Sequence, residues 1–155
     1  MPFDYKKEFK DFYLPPAKPH IVHIPKMQFV AVRGKGNPNE EDGEYKSALA
    51  LQYAIEYTIK MSKKGDYRIA GYQDFVVPPL EGFWWQEENG KIISGFDYTD
   101  KSSFNWISVI RLPDFVSQKD FEWAKTSVEE KKGLDCTRAD LYTFEEGDCV
   151  QIMHI

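Results

Sequence analysis

Cysteine is scarce: Cys136 and Cys149 stand in no CxxC spacing, and His20, His23 and His154 complete no metal-ligand set with them. A disulfide framework or a zinc site is therefore not expected, and the thiols read as buried or idle. No apolar run reaches membrane-spanning length, and the charged, aromatic start from Met1 to Lys10 is unlike a secretory signal. The expectation is a cytoplasmic protein with no membrane partner. There is no basic block, and a formal net charge of -5 with a pI near 5.3 repels phosphate backbones, so direct nucleic-acid binding is not expected. GxSxG, HExxH and P-loop patterns are missing, and Gly34-Lys35-Gly36 lacks the third glycine and helix register of a dinucleotide fingerprint. Covalent and metal chemistry have no support in the sequence, and no cofactor or metal is expected.

Aromatic residues, by contrast, are abundant. Eleven Phe, 9 Tyr and 4 Trp make 15% of a 155-residue chain, an excess over ordinary core composition that suggests rings placed against something flat. The length fits one domain and 42% hydrophobic residues supply a core. Residues 1–19 read as an N-terminal arm or short frayed helix, because Pro15, Pro16 and Pro19 forbid a regular helix or central strand. Residues 20–155 read as the single domain.

Within it, Met27 to Arg33 reads as a strand, and Asn37-Pro38-Asn39 as a turn with a candidate N-cap. Glu44 to Ser62 carries Ala48, Leu51, Ile55 and Ile59 on one helical stripe and Tyr45, Leu49, Tyr53 and Tyr57 on its neighbour. Lys60, Lys63 and Lys64 complement the carboxyl end of that helix, with Gly65 as its cap. Tyr67 to Val77 and Leu80 to Gln86 read as strand, with Pro78-Pro79 as a bend between them. Glu87 to Gly90 reads as a turn and Phe104 to Leu112 as a further strand. Ser117 is a candidate N-cap for a second helix through Lys132, ended by Gly133, and Asp140 to Phe144 and Cys149 to Ile155 read as strands. The fold class is thus α+β: a mostly antiparallel sheet with two helices packed on it and a weak internal repeat. The last strand is apolar and unbounded, which predicts pairing with a second copy of the chain or a longer natural protein.

PPLEGFWWQEE, Pro78 to Glu88, is the most informative stretch. Strand alternation puts Leu80, Gly82 and Trp84 on one face and Glu81, Phe83 and Trp85 on the other, so each face receives a Trp. One of the two can be core, and the other needs a cover. With Trp106 on a neighbouring strand and Tyr53 and Tyr57 on the helix, these residues predict an aromatic box for a planar, hydrophobic or cationic small molecule. Glu81, Glu56 and Arg111 are candidate polar anchors. If catalysis occurs, Glu81 and Tyr57 are the candidate proton handlers.

The runs FDYKKEFKDFYLPPAKPHIVHIPKMQFVAVRGKGNPNEEDGEYKSAL, VVPPLEGFWW, FNWISVIRLPDFV and DCVQIMHI together resemble the GyrI-like small-molecule-binding domain proteins over essentially the whole chain. The resemblance implies a duplicated β-α-β-β unit, a ligand cleft between its halves, and kinship to the effector-binding domains of multidrug-responsive transcription activators. Stand-alone members are similar to drug-binding or sequestering proteins, and one subfamily resembles hydrolases that open the cyclopropane of DNA-alkylating natural products. Such proteins usually continue beyond the position of His154-Ile155 with a further helix and two strands, so the second repeat is expected to be incomplete here. On that pattern Trp84, Trp85 and Trp106 form the surviving cleft wall, and no catalytic carboxylate is carried over. Three roles follow: capture of a flat ligand, hydrolysis of a strained ring, or binding of a protein partner.

Overall fold

The computed structural model describes residues 1–154. Two helical turns, α1 (Tyr5–Glu8) and α2 (Lys10–Tyr13), form the arm, followed by β1 (His20–Ile24), β2 (Met27–Lys35) and the long helix α3 (Glu44–Lys60). Then come β3 (Leu80–Trp85), a small hairpin of β4 (Glu87–Glu88) and β5 (Lys91–Ile92), β6 (Asn105–Leu112), α4 (Gln118–Lys132), β7 (Ala139–Phe144) and β8 (Gly147–Gln151). The fold is α+β. The main sheet runs β3-β6-β2-β7, every pair antiparallel.

That order contains a near-symmetry. β2-α3-β3 and β6-α4-β7 are both strand-helix-strand units, yet β3 pairs with β6 and β7 with β2. Each unit thus lends its outer strand to the other, about an axis between the central strands where Ala31 faces Val109. The helices can bury their apolar stripes only against one common face. Val30, Val32, Ile110 and Leu112 of the sheet meet Leu51, Ile55 and Ile59 of α3 and Phe121, Ala124 and Val128 of α4 there. Helix α4 follows its sequence signals: Ser117 and Asp120 form a capping box, and Gly133 closes the helix in the left-handed region at φ 65°.

The opposite face is independent of the helices. Its floor is Met27, Phe29, Ala31, Ile107 and Val109, flanked by Phe12, Phe83, Trp85, Tyr142 and Phe144. Strand alternation alone produces this second apolar surface.

Several expectations are corrected. Tyr67 to Val77 is not a strand: Phe75 makes one bridge to Phe3, and the segment turns at Gly71, φ 74°. Its Asp74 carboxylate is held by Lys63 at 2.6 Å, Lys60 at 3.1 Å and Tyr72 at 3.2 Å, so those lysines serve an ion cluster rather than the helix end alone. These bonds hold the Asp74 carboxyl below the usual carboxylate range. Pro78-Pro79 precedes β3 instead of bending a longer strand. Helix α3 starts after Gly43 with no side-chain cap, and the Asn37 side chain instead accepts from the Asn39 backbone N–H. The arm is fastened along its length: Phe3 bonds Asp74 and Val76 through backbone, and the Gln151 amide donates to Phe12 O at 2.7 Å. Finally, β8 has a partner within the chain, pairing with β1 from His20↔Gln151 to Ile24↔Gly147. One edge of β8 is thus paired within the chain, the strand ends at Gln151 rather than running on from Cys149 to Ile155, and Val150 and Ile152 stay exposed; Ile155, the last residue of the expected strand, lies outside the described residues.

Candidate functional site

β3 divides the aromatic set between two faces. Trp84 and Trp106 are cross-strand partners on the helix side, and Tyr45, from the first turn of α3, packs on both with centroids 5.2 and 5.1 Å away. Trp106 is fully buried and lies flat over Gly34, its partner on β2; a Cβ there would come within 2.3 Å of the ring. It is core, out of reach of a ligand. Trp84 is half-buried and opens onto a hollow of about 340 Å³ shared with Pro38, Phe96, Tyr98 and Phe104. Tyr53 and Tyr57 neighbour each other on α3, 6.5 Å apart. Tyr57 faces a groove between α3 and α4 beside Trp123, away from Glu81. The two candidate proton handlers therefore do not meet.

Glu81, Phe83 and Trp85 share the other face. There the two-stranded β1–β8 sheet and the arm fold over the main sheet and leave a cleft of about 200 Å³, lined by Phe12, Tyr13, Phe29, Glu81, Phe83 and Glu146 among others. Phe83 meets Phe144 edge-on at 5.0 Å, and the Trp85 indole donates to Glu87 at 3.0 Å, which fixes both rings.

Two carboxyls, Glu81 and Glu146, line this half-polar cleft, and both residues are exposed. The Glu81 pKa is pushed up to about 7, first by burial and then by the like charge of Glu146, while Arg111 opposes the shift. Glu81 as a residue keeps an exposed side, so water reaching it moderates the burial effect, and the crowding by protein and Glu146 sustains it. Burial raises Glu146 as well. A carboxyl titrating near neutrality takes and returns protons at physiological pH, the property a general acid-base needs. Cys149 lines the same cleft, but burial with Glu146 and Asp148 pushes its thiol up, leaving it protonated and a poor nucleophile. Among the described residues no group of three or more His, Cys, Asp or Glu is placed to hold a metal ion. Among them also, no helix is long and apolar enough to cross a membrane.

Glu146 and Tyr13 escaped the sequence reading. Glu146 stands at the β7–β8 turn before Gly147, φ 68°, where an acid looks like ordinary surface. Tyr13 had a legible signal: Tyr5, Phe9 and Tyr13 recur every fourth residue of the arm.

No family model and no curated protein matches the chain. Solved structures do. A hydrolase from Listeria innocua is 48% identical with TM-score 0.86, over 99% of this chain and 71% of that one. An uncharacterized conserved protein from Listeria innocua is 50% identical with TM-score 0.89, over 99% and 72%. A hydrolase encoded by lin2189 from the same organism is 49% identical with TM-score 0.90, over 100% and 72%.

Proposed function

The chain belongs to the family of these Listeria innocua proteins, and from that premise we propose that it is a hydrolase acting on a flat, mostly apolar small molecule held in the cleft beneath the two-stranded β1–β8 sheet. The observation that carries this reading is the placement of the Glu81 carboxyl in one cleft with Phe12, Phe29, Phe83 and Glu146, where burial and the charge of Glu146 push its pKa up to about 7. The rings accept a planar frame, and the carboxyl moves the proton that hydrolysis requires.

The resemblance to GyrI-like domains supports a strained cyclopropane conjugated to a carbonyl as the reacting group. In that chemistry ionised Glu81 takes a proton from water as the water oxygen bonds to a ring carbon. The carbon–carbon bond breaks, its electron pair passes to the carbonyl oxygen, and the proton on Glu81 returns to that oxygen. One water is added and nothing leaves. The test is incubation with a cyclopropane-bearing DNA alkylator followed by mass spectrometry. A product heavier by one water is expected, and intact substrate at long times refutes the reading.

Capture without chemistry has one observation in its favour, the hollow formed by Pro38, Trp84, Phe96, Tyr98 and Phe104, which offers apolar walls and no proton handler. A planar dye that quenches tryptophan emission while the alkylator survives unchanged would select it.

A further inference from the structure

Arg111 and the arm form a cluster that the reaction above leaves unused. Arg111 is 7% exposed, and among the described residues no carboxylate forms an ion pair with it. Its guanidinium instead sits 4.6 Å from the Tyr5 ring centroid and 5.2 Å from that of Phe9. Its Nε and Nη1 have no hydrogen-bond partner, and neither has the buried hydroxyl of Tyr13. The guanidinium approaches that hydroxyl without completing a bond. Tyr5, Phe9 and Tyr13 are the fourfold stripe of the arm, so one element both covers the cation and carries a hydroxyl to the wall of the Glu81 cleft.

A buried hydroxyl without a partner costs stability unless some state of the protein uses it. Arg111, Glu81 and Glu56 all act on it; Arg111 can only donate, and burial keeps the Glu56 carboxyl protonated. That leaves the hydroxyl proton free for an acceptor in the cleft.

We propose that Tyr13 is a positioning residue for Glu81: backed by the Arg111 guanidinium, its hydroxyl donates a hydrogen bond to the ionised Glu81 carboxylate and holds it ready to accept a proton. This rests on the reading of Glu81 as the proton handler. Burial, and next the charge of Glu81, push the Tyr13 pKa up against the pull of Arg111, so the hydroxyl keeps its proton as a donor must. The charged and titratable groups facing Glu81 are Glu146 from the β7–β8 turn and Arg111 from β6, with Tyr13 from α2 and Cys149 from β8 on the cleft wall. Glu56 of α3 also acts on Tyr13.

The experiment is a carboxyl-carbon NMR titration of Glu81 in the full chain, in the wild type, Tyr13→Phe and Tyr5→Phe. Tyr13→Phe keeps the ring and removes the donor, so the Glu81 midpoint should rise from about 7 by roughly one pH unit, as loss of one hydrogen bond to a charged group implies. Tyr5→Phe should leave it in place. A Tyr13→Phe midpoint equal to wild type overturns the proposal. A second readout needs no variant: the Tyr13 Cζ resonance of the wild type should shift with the Glu81 midpoint, and a Cζ flat through that midpoint overturns the proposal too. Turnover of the alkylator is scored separately. A midpoint shift in a protein that hydrolyses nothing keeps the positioning role and removes the hydrolase, whereas turnover with an unmoved midpoint does the reverse.

Discussion

Replacing Glu56 by Gln should make the protein more stable, and increasingly so as the pH rises. Glu56 is fully buried in α3, neither carboxyl oxygen has a hydrogen-bond partner, and burial pushes its pKa well above the carboxylate range. The unfolded chain releases this proton near pH ~4.3, whereas the folded chain holds it. Between the two pKa values the native state binds more protons, so its stability is full below the unfolded value and falls as pH rises toward the folded one. The slope is about 1.4 kcal/mol per pH unit while the folded carboxyl stays protonated. In a chain of this size each kcal/mol moves Tm by about 2–4 °C, which gives roughly 3–6 °C per pH unit. Glu81 and Glu146 tilt the curve the same way but are common to both proteins, so the difference isolates Glu56. Thermal unfolding followed by circular dichroism from pH 4 to pH 8 should show the two melting curves level at the acid end and diverging above about pH 5 in favour of Glu56→Gln. Parallel profiles would refute the reasoning, since they would mean that Glu56 ionises as easily inside as outside.

Gly34→Ala tests the packing beneath Trp106. The new Cβ would lie 2.3 Å from a ring that is wholly enclosed, so overpacking should cost about 1–3 kcal/mol and lower Tm by roughly 2–12 °C; an unchanged Tm would show that the indole moves freely. Gln86→Leu tests what holds the aromatic loop after β5. The Gln86 amide donates to Asp97 O at 3.0 Å and Ser103 Oγ at 2.9 Å and accepts from the Asp97 N–H at 2.6 Å. Without it, proteolytic cutting within residues 93–104 should accelerate on the order of tenfold or more while amide exchange in α3 stays as it was, and equal cutting rates would count against that role.

How much of this was legible in the sequence varied with the range of the interaction. Repeats such as Leu51-Ile55-Ile59 announce a helix because its period is local, and the alternation in Leu80 to Trp85 correctly assigned Glu81, Phe83 and Trp85 to one face. The same rule could not say how deep each Trp lies: Trp84 and Trp85 are both half-buried and neither is the expected core Trp, whereas Trp106 is core over Gly34 across the sheet. Tyr67 to Val77 has strand composition, yet it turns at Gly71, φ 74°, and its one bridge is from Phe75 to Phe3 of the arm, a distant partner that composition does not reveal. β8 finds β1 across more than a hundred residues, a contact that no local pattern encodes. The cleft inherits this limit. Its sheet residues were readable, while Tyr13 and Glu146 reach it through the arm and the β7–β8 turn, whose placement depends on those distant pairings.

The most direct test of the account is the pH dependence of water addition to a cyclopropane-bearing alkylator by the wild type and by Glu81→Gln. With Glu81 as the base, the wild-type rate should rise with pH through an inflection near 7, and Glu81→Gln should fall by about a hundredfold or more at every pH above it while still binding the substrate. A Glu81→Gln protein that turns over at the wild-type rate, or a wild-type rate that is flat through neutrality, would contradict it.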